Sequence, residues 1–305
     1  MKHLESAVGK KNDWWRYIVM FLTIFLGANF IGAIPLIIVM FLKSGGDFTS
    51  ADLSQAGIDK NLMFALMLIP FIVSLLIFAK LIRPLHGQKF KAIINGTDNI
   101  RWDRFFYSFT VWFIILAAYL LTDFLLNGDN YIFNFSSGKF FILVILSIAL
   151  IPFQTTLEEV MFRGYLSQGI AVWTRNRIWV VMLPALLFGA MHILNPEIKE
   201  YGFWLTMPQY ILMGLAFGLV IVLDDGIEVS MGAHAANNIF LSIFVTFKGS
   251  VLDTPALLIQ KEINPMKDLI TLVIFLTLFV IILTKKYKWD YNTLLKPVAV
   301  DENFE

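Results

Sequence analysis

The chain has 305 residues, 58% of them hydrophobic and only 15% charged, with 29 Phe and a net charge of +1. Soluble domains carry about a quarter charged residues, so this composition, with a mean hydropathy of +0.71, excludes a water-soluble globular enzyme and implies a polytopic membrane protein. The near-zero net charge gives no field to attract nucleic acid, and the lack of any cysteine excludes disulfides, thiolate chemistry and cysteine-based zinc sites.

The basic N-terminus (Lys2, Lys10, Lys11, Arg16) precedes an apolar run too long for the h-region of a cleavable signal and without a small-residue cleavage site. It reads as a first membrane span. A span needs about 20 apolar residues, and eight stretches qualify: roughly 17–42, 62–82, 105–126, 138–157, 178–195, 207–223, 229–247 and 268–284. Pro35 offers the first a place to bend. Lipid cannot satisfy an open sheet edge, so the expected fold is all-α, a polytopic bundle of about eight transmembrane helices. Three regions are expected: N-terminal membrane helices over 1–137, a core over 138–250, and an outer loop, last span and tail over 251–305.

Lys and Arg set the orientation. With the N-terminus in the cytoplasm, the inner segments hold sixteen of these residues and the outer ones seven, with Arg163 unassigned. Both termini are therefore expected inside, in a bacterial plasma membrane. One inner loop dissents, since Asp224–Glu228 has no base. Thr254–Met266 reads as a polar outer loop and the last fifteen or so residues as a frayed tail. His3 and His86 lie among polar, basic neighbours and read as unremarkable. Gly214 and Gly218 form a small-xxx-small pair suited to close helix packing.

Three polar intrusions break the apolar spans: Glu158, Glu159 and Arg163 at the end of the fourth, His192 in the fifth, and His234 with Asn237 and Asn238 in the seventh. A charge at mid-bilayer costs roughly 2.5–3.5 kcal/mol on insertion scales. Glu159 and Arg163 are four apart, so they share a helix face and can form a structural ion pair. Glu158 points about 100° away and is left without that partner. His192 alone could be a packing histidine, and His234 with Asn238, again four apart, a polar helix–helix contact. Together the residue types suit hydrolysis, because Glu can act as a general base while His and Asn can donate to a developing oxyanion. Gly232 and the flanking alanines leave room beside His234 for another backbone.

These residues carry a resemblance. Glu158-Glu159-Val-Met-Phe-Arg163 resembles the E-E-x-x-x-R motif of the CPBP (Abi, or CAAX-protease) family of intramembrane proteases. Phe188-Gly-Ala-Met-His192 is similar to its F-x-x-x-H motif, and His234-Ala-Ala-Asn-Asn238 to its H-x-x-x-N motif. The resemblance covers roughly residues 140–250. It implies an eight-helix endopeptidase with catalytic residues Glu158, His192, His234 and Asn238. Glu158 would activate water, His192 would position it or share its proton, and His234 and Asn238 would stabilise the oxyanion. Glu159 and Arg163 would be structural support. The charges would then face a water-filled cavity. No metal is expected, there being no HExxH; were one bound, zinc would take Glu158, His192 and His234 as ligands.

The expected partner is a membrane-associated peptide or protein substrate within the bilayer, with no nucleic acid. Two alternatives stay open: a non-catalytic scaffold or immunity protein of the same fold, and a proton-coupled transporter, which also uses intramembrane Glu and His but should show repeats or paired broken helices. Neither is found in the sequence. Straight helices put His192 on the order of 20 Å and His234 near 10 Å from the inner side, so tilting, bends at the Pro152 and Pro184 sites, or a deep cytoplasmic funnel is expected to make up the difference.

Overall fold

Backbone groups in lipid must be paired within their own segment, and the apolar runs accordingly close into helices. A computed structural model describes residues 2–43 and 57–299. Its helices are α1 (Trp14–Lys43, with a π-helical stretch at Thr23–Ala28), α2 (Lys60–His86), α3 (Phe90–Asn95), α4 (Trp102–Leu126), α5 (Ser137–Thr174, with a π-helical stretch at Val160–Leu166), α6 (Arg177–Met191), α7 (Pro196–Tyr201), α8 (Phe203–Asp224), α9 (Glu228–Phe244) and α10 (Pro265–Tyr287). The fold is a helical membrane bundle. Three short strands cap one end in the order β1 (Tyr131–Phe133), β3 (Leu258–Gln260), β2 (Val245–Phe247); β1 is antiparallel and β2 parallel to β3. The expected polar loop 254–266 thus contains a central strand.

Among the described residues six helices, α1, α2, α4, α5, α8 and α10, are long and apolar enough to cross a membrane. The expected fifth and seventh spans are shorter. Helix α6 has 15 residues and α9 has 17, rises of only about 22 and 26 Å, below the roughly 30 Å hydrocarbon thickness. For α9 the reason is where it begins. The acidic turn after α8 is folded into the bundle, with Asp224 4% and Glu228 0% exposed. Arg101 binds Glu228 through its backbone N–H and guanidinium, Asn95 donates to the same carboxylate, and Arg104 and Trp289 Nε1 hold Asp224. This recess brings His234 to the depth of Phe188 on α6, the rings 6.2 Å apart. It also accounts for an acidic loop on the basic side, because its cations come from the neighbouring loop.

Residues 2–3 and 296–298 lie at this same end of the bundle. Lys2 and His3 donate backbone N–H groups to the Asp225 carboxylate, each at 2.9 Å. Within the described residues the tail packs on the bundle: Val298 is buried and bonds the Arg175 carbonyl, and Arg177 reaches the Lys296 carbonyl, both at 3.0 Å. Residues 300–305, the rest of the expected frayed tail, lie outside the described residues. Among glycines, Gly214 packs against the Ala185 backbone and Gly218 against Val181, while Gly232 faces the Phe105 carbonyl so closely that a Cβ has no space.

His3 and His86 are both fully buried. Basic sequence neighbours misled the expectation, since those lysines point outward while the histidine rings seal the interior. His86 Nδ1 lies 2.7 Å from the Lys11 carbonyl and Nε2 2.7 Å from Tyr165 Oη. His3 Nε2 donates to the Arg163 carbonyl at 3.2 Å, inside the π-helical stretch of α5, and Nδ1 accepts from Gln168 at 3.4 Å. That arrangement suits a neutral ring. Burial pushes the His3 pKa down from 6.5 to about 4. The unfolded chain therefore binds the proton more readily, and the His3 contribution to stability is complete above pH 6.5 and falls between pH 6.5 and 4 at roughly 1.4 kcal/mol per unit. Melting temperature in detergent should drop over that window, and His3→Gln should flatten the drop; equal slopes in both proteins would count against it.

Candidate active site

The site grows from the polar face of α5 just beyond Pro152. Gln154 and Glu158 are one turn apart, and Gln154 Nε2 donates to Glu158 Oε1 at 2.6 Å. Gln154 Oε1 in turn accepts from Asn238 Nδ2 at 2.9 Å. Asn238 Oδ1 accepts from Asn237 Nδ2 at 3.0 Å, and Asn237 Oδ1 from the Trp112 indole at 3.2 Å. Four hydrogen bonds thus run from α4 through α9 to α5, each donor pointing toward the Glu158 carboxylate. Such chains polarise their members cooperatively.

Glu159 faces the other way and is fully buried. Its Oε1 accepts from Arg163 Nη1 at 3.1 Å and from His234 Nδ1 at 2.8 Å. Arg163 is also fully buried, and among the described residues its Nε and Nη2 have no hydrogen-bond partner. The guanidinium instead lies 4.1 Å from the Phe188 ring centre and 5.7 Å from that of Phe217, where ring faces stabilise a desolvated cation. His234 sits on this aromatic floor, its Nε2 3.6 Å from Glu158 Oε2. One imidazole therefore stands between the two adjacent glutamates. Glu158 is the one open to solvent, its side chain 16% exposed.

His192 caps the end of α6. Its Nδ1 lies 2.7 Å from the Phe188 carbonyl, an acceptor, so Nδ1 carries the proton and Nε2 is the free lone pair. The ring stacks on Tyr210 at 4.3 Å and 25°, and Glu158 and His234 are within electrostatic reach. Tyr210 Oη accepts from Asn195 Nδ2 at 3.0 Å. Just beyond, Glu197 receives the Val251 N–H at 2.7 Å, and burial pushes its pKa up.

The structure thus gathers Glu158, Glu159, Arg163, His192, His234 and Asn238 into one region. Sequence reasoning missed Gln154, Tyr210 and Trp112. Gln154 carried a usable signal, being a lone amide one turn before Glu158; Tyr210 and Trp112, aromatic residues in apolar helices, carried none. It also missed that Glu159 serves His234 as well as Arg163. Among the described residues, no three His, Asp or Glu side chains are grouped as a metal site.

Comparison with known proteins follows the same residues. Residues 138–240 match the family described as Type II CAAX prenyl endopeptidase Rce1-like. Over 270 residues the chain is 30% identical to a Bacillus subtilis (strain 168) protein described as uncharacterized protein YyaK, spanning 87% of this chain and 90% of that one. No solved structure matches.

The two glutamates should separate on substitution. Glu159→Gln leaves Arg163 buried without its counter-charge, an error costing about 3–5 kcal/mol, and should lower the melting temperature and folded yield sharply. Glu158→Gln keeps the Gln154 contact at a partly solvated position and should change stability by about 1 kcal/mol or less. Melting both variants in detergent checks this; equal destabilisation would contradict the assignment.

Proposed function

The chain belongs to the Rce1-like family, and from that premise we propose that it is an intramembrane endopeptidase in which Glu158 activates the attacking water. The observation that carries the reading is the asymmetry of the glutamate pair: Glu159 is spent on Arg163 and His234, while Glu158 is solvent-accessible and backed by a directed amide chain.

In this mechanism Glu158 accepts a proton as the water oxygen attacks the scissile carbonyl carbon. His192 Nε2, fixed by the Phe188 carbonyl and the Tyr210 stack, accepts a hydrogen bond from that water and orients it. The carbonyl oxygen becomes an oxyanion and receives the second Asn238 amide hydrogen, the first being held by Gln154. His234 has Nδ1–H committed to Glu159, so its Nε2 donates to the oxyanion when the ring carries both protons, a charge that Glu159 balances. The carbon–nitrogen bond then breaks, and Glu158 returns its proton to the leaving amine. Preorganised donors of this kind are worth roughly 2.7–4 kcal/mol each in transition-state stabilisation. The substrate is a membrane-associated peptide or protein, and the reaction as written calls for no metal.

Comparative membrane proteomics of cells carrying wild type or Glu158→Gln should reveal a protein shortened only by the wild type. Identical profiles, with a purified protein inert toward the whole membrane fraction, would sink the peptidase reading. Purified protein should hold no stoichiometric zinc and should cleave in the presence of chelators. One tightly bound zinc, lost together with activity in His192→Ala, would replace the glutamate-base mechanism with a metal one.

A further inference from the structure

The bundle carries a second concave surface, away from Glu158. It is a groove of about 550 Å³ between α6, α8 and α10, with the turn Tyr291–Leu295 across one end. Helix α8 forms its floor. Gly214 and Gly218 draw α8 against Ala185 and Val181 of α6. Leu212, Ala216 and Leu219 recur at helical spacing on another face of α8 and line the groove. Ile178 and Met182 of α6 form one wall, and Val273 and Ile281 of α10 the other; each is between 40% and 46% exposed. Tyr210 and Phe217, which serve the candidate active site, project from the far side of α8. The groove is therefore separate from that site, and its occupant is independent of the peptidase reading.

The chemistry of the groove changes along its length. The walls are aliphatic, and Thr277 in the α10 wall satisfies its hydroxyl on the Val273 carbonyl of its own helix at 2.7 Å. Toward the end of α10 the lining turns polar, where the Thr284 and Tyr291 hydroxyls meet at 2.8 Å. Lys285 stands one turn past Ile281, and Lys288 caps the helix. Both are exposed, and among the described residues neither ammonium group has an ion-pair or hydrogen-bond partner. Neighbouring cations are engaged: Lys286 lies 5.1 Å from the Tyr107 ring centre, and Lys296 pairs with Asp290 at 3.2 Å. Arg175, three positions before Ile178, adds a further exposed cation at this end.

From Val273 to Lys285 the helix rises about 18 Å, close to half of the roughly 30 Å hydrocarbon core. The groove is thus about one leaflet long. Aliphatic walls, then hydroxyls, then unpaired cations follow the order of acyl chain, glycerol ester and phosphate in a phospholipid. A peptide would leave its backbone N–H and C=O groups unmet against these walls, and a lipid without net charge would leave the ammonium groups without a counter-ion. Basic clusters at the end of a membrane helix attract anionic headgroups. We propose that this groove binds one anionic phospholipid, with an acyl chain between α6 and α10 and the phosphate at Lys285 and Lys288, so that the lipid clamps the last helix to the bundle.

The full chain, purified in a neutral detergent, is titrated with dioleoyl phosphatidylglycerol or dioleoyl phosphatidylcholine and followed by native mass spectrometry and melting temperature. One phosphatidylglycerol should bind at least fivefold more tightly than phosphatidylcholine and raise the melting temperature further. Lys285→Gln with Lys288→Gln should bring that ratio below twofold, and Lys286→Gln should leave it intact. Ile281→Trp, which fills the groove, should weaken both lipids at least fivefold; should it melt early in detergent alone, Met182→Trp fills the groove from the other wall. Glycerol 3-phosphate, a headgroup without chains, should not bind. Converting the acidic residues Asp301, Glu302 and Glu305 to amides should change nothing. Equal affinity for the two lipids, a preference that survives loss of both lysines, full affinity in the groove-filled variants, or tight binding of glycerol 3-phosphate overturns the proposal. A preference gained only when the tail acids are neutralised also overturns it, by giving the lysines to the tail. A dimer in place of the lipid adduct, abolished by Ile281→Trp, overturns it by giving the groove to a second copy of the chain.

Discussion

The buried pair of Glu159 and Arg163 is the constraint around which the rest is arranged. Removing two ions from water costs several kcal/mol each, and their attraction repays this only when the remaining polar groups are also provided for. Here one carboxylate oxygen takes both the guanidinium and the His234 ring, while Phe188 and Phe217 flank the guanidinium group that lacks other partners. Helices α5, α6, α8 and α9 each contribute to that one cluster. The recess of α9, set by the acidic turn before it, is what brings His234 into this cluster and beside Glu158.

This buried support leaves Glu158 free for different work. The two glutamates are chemically identical and adjacent in sequence, yet one is enclosed and doubly bonded while the other meets solvent. The amide chain from Trp112 to Gln154 aims donors at Glu158 without bringing a formal charge next to it.

Much of this was legible in the sequence because lipid penalises polar residues so heavily. Glu158, His192 and His234 stood out against apolar runs, and helical periodicity separated the faces of Glu158 and Glu159. The span count was less legible. A hydropathy run shows that a segment is apolar but not where its helix starts, and α9 starts inside the bundle because Arg101 and Arg104, 120 or more residues earlier, neutralise Asp224 and Glu228. His3 and His86 were misplaced for the same reason: their partners Arg163, Gln168 and Tyr165 are distant in sequence. The Tyr210 stack on His192 had no local signature at all.

The seat of residues 2–7 has a consequence for biogenesis. Lys2 and His3 bond to Asp225, more than 220 positions later in the chain, and His3 also needs the Arg163 carbonyl. During synthesis this segment emerges with none of its receptors yet made. It must wait at the membrane surface while α1 through α8 are inserted, and only then can it dock. Docking of this segment is therefore a late step of assembly, one that is completed only after the turn leading into α9 has been laid down, so an incompletely inserted chain exposes a loose basic amino-terminal strand where the finished protein presents a closed face.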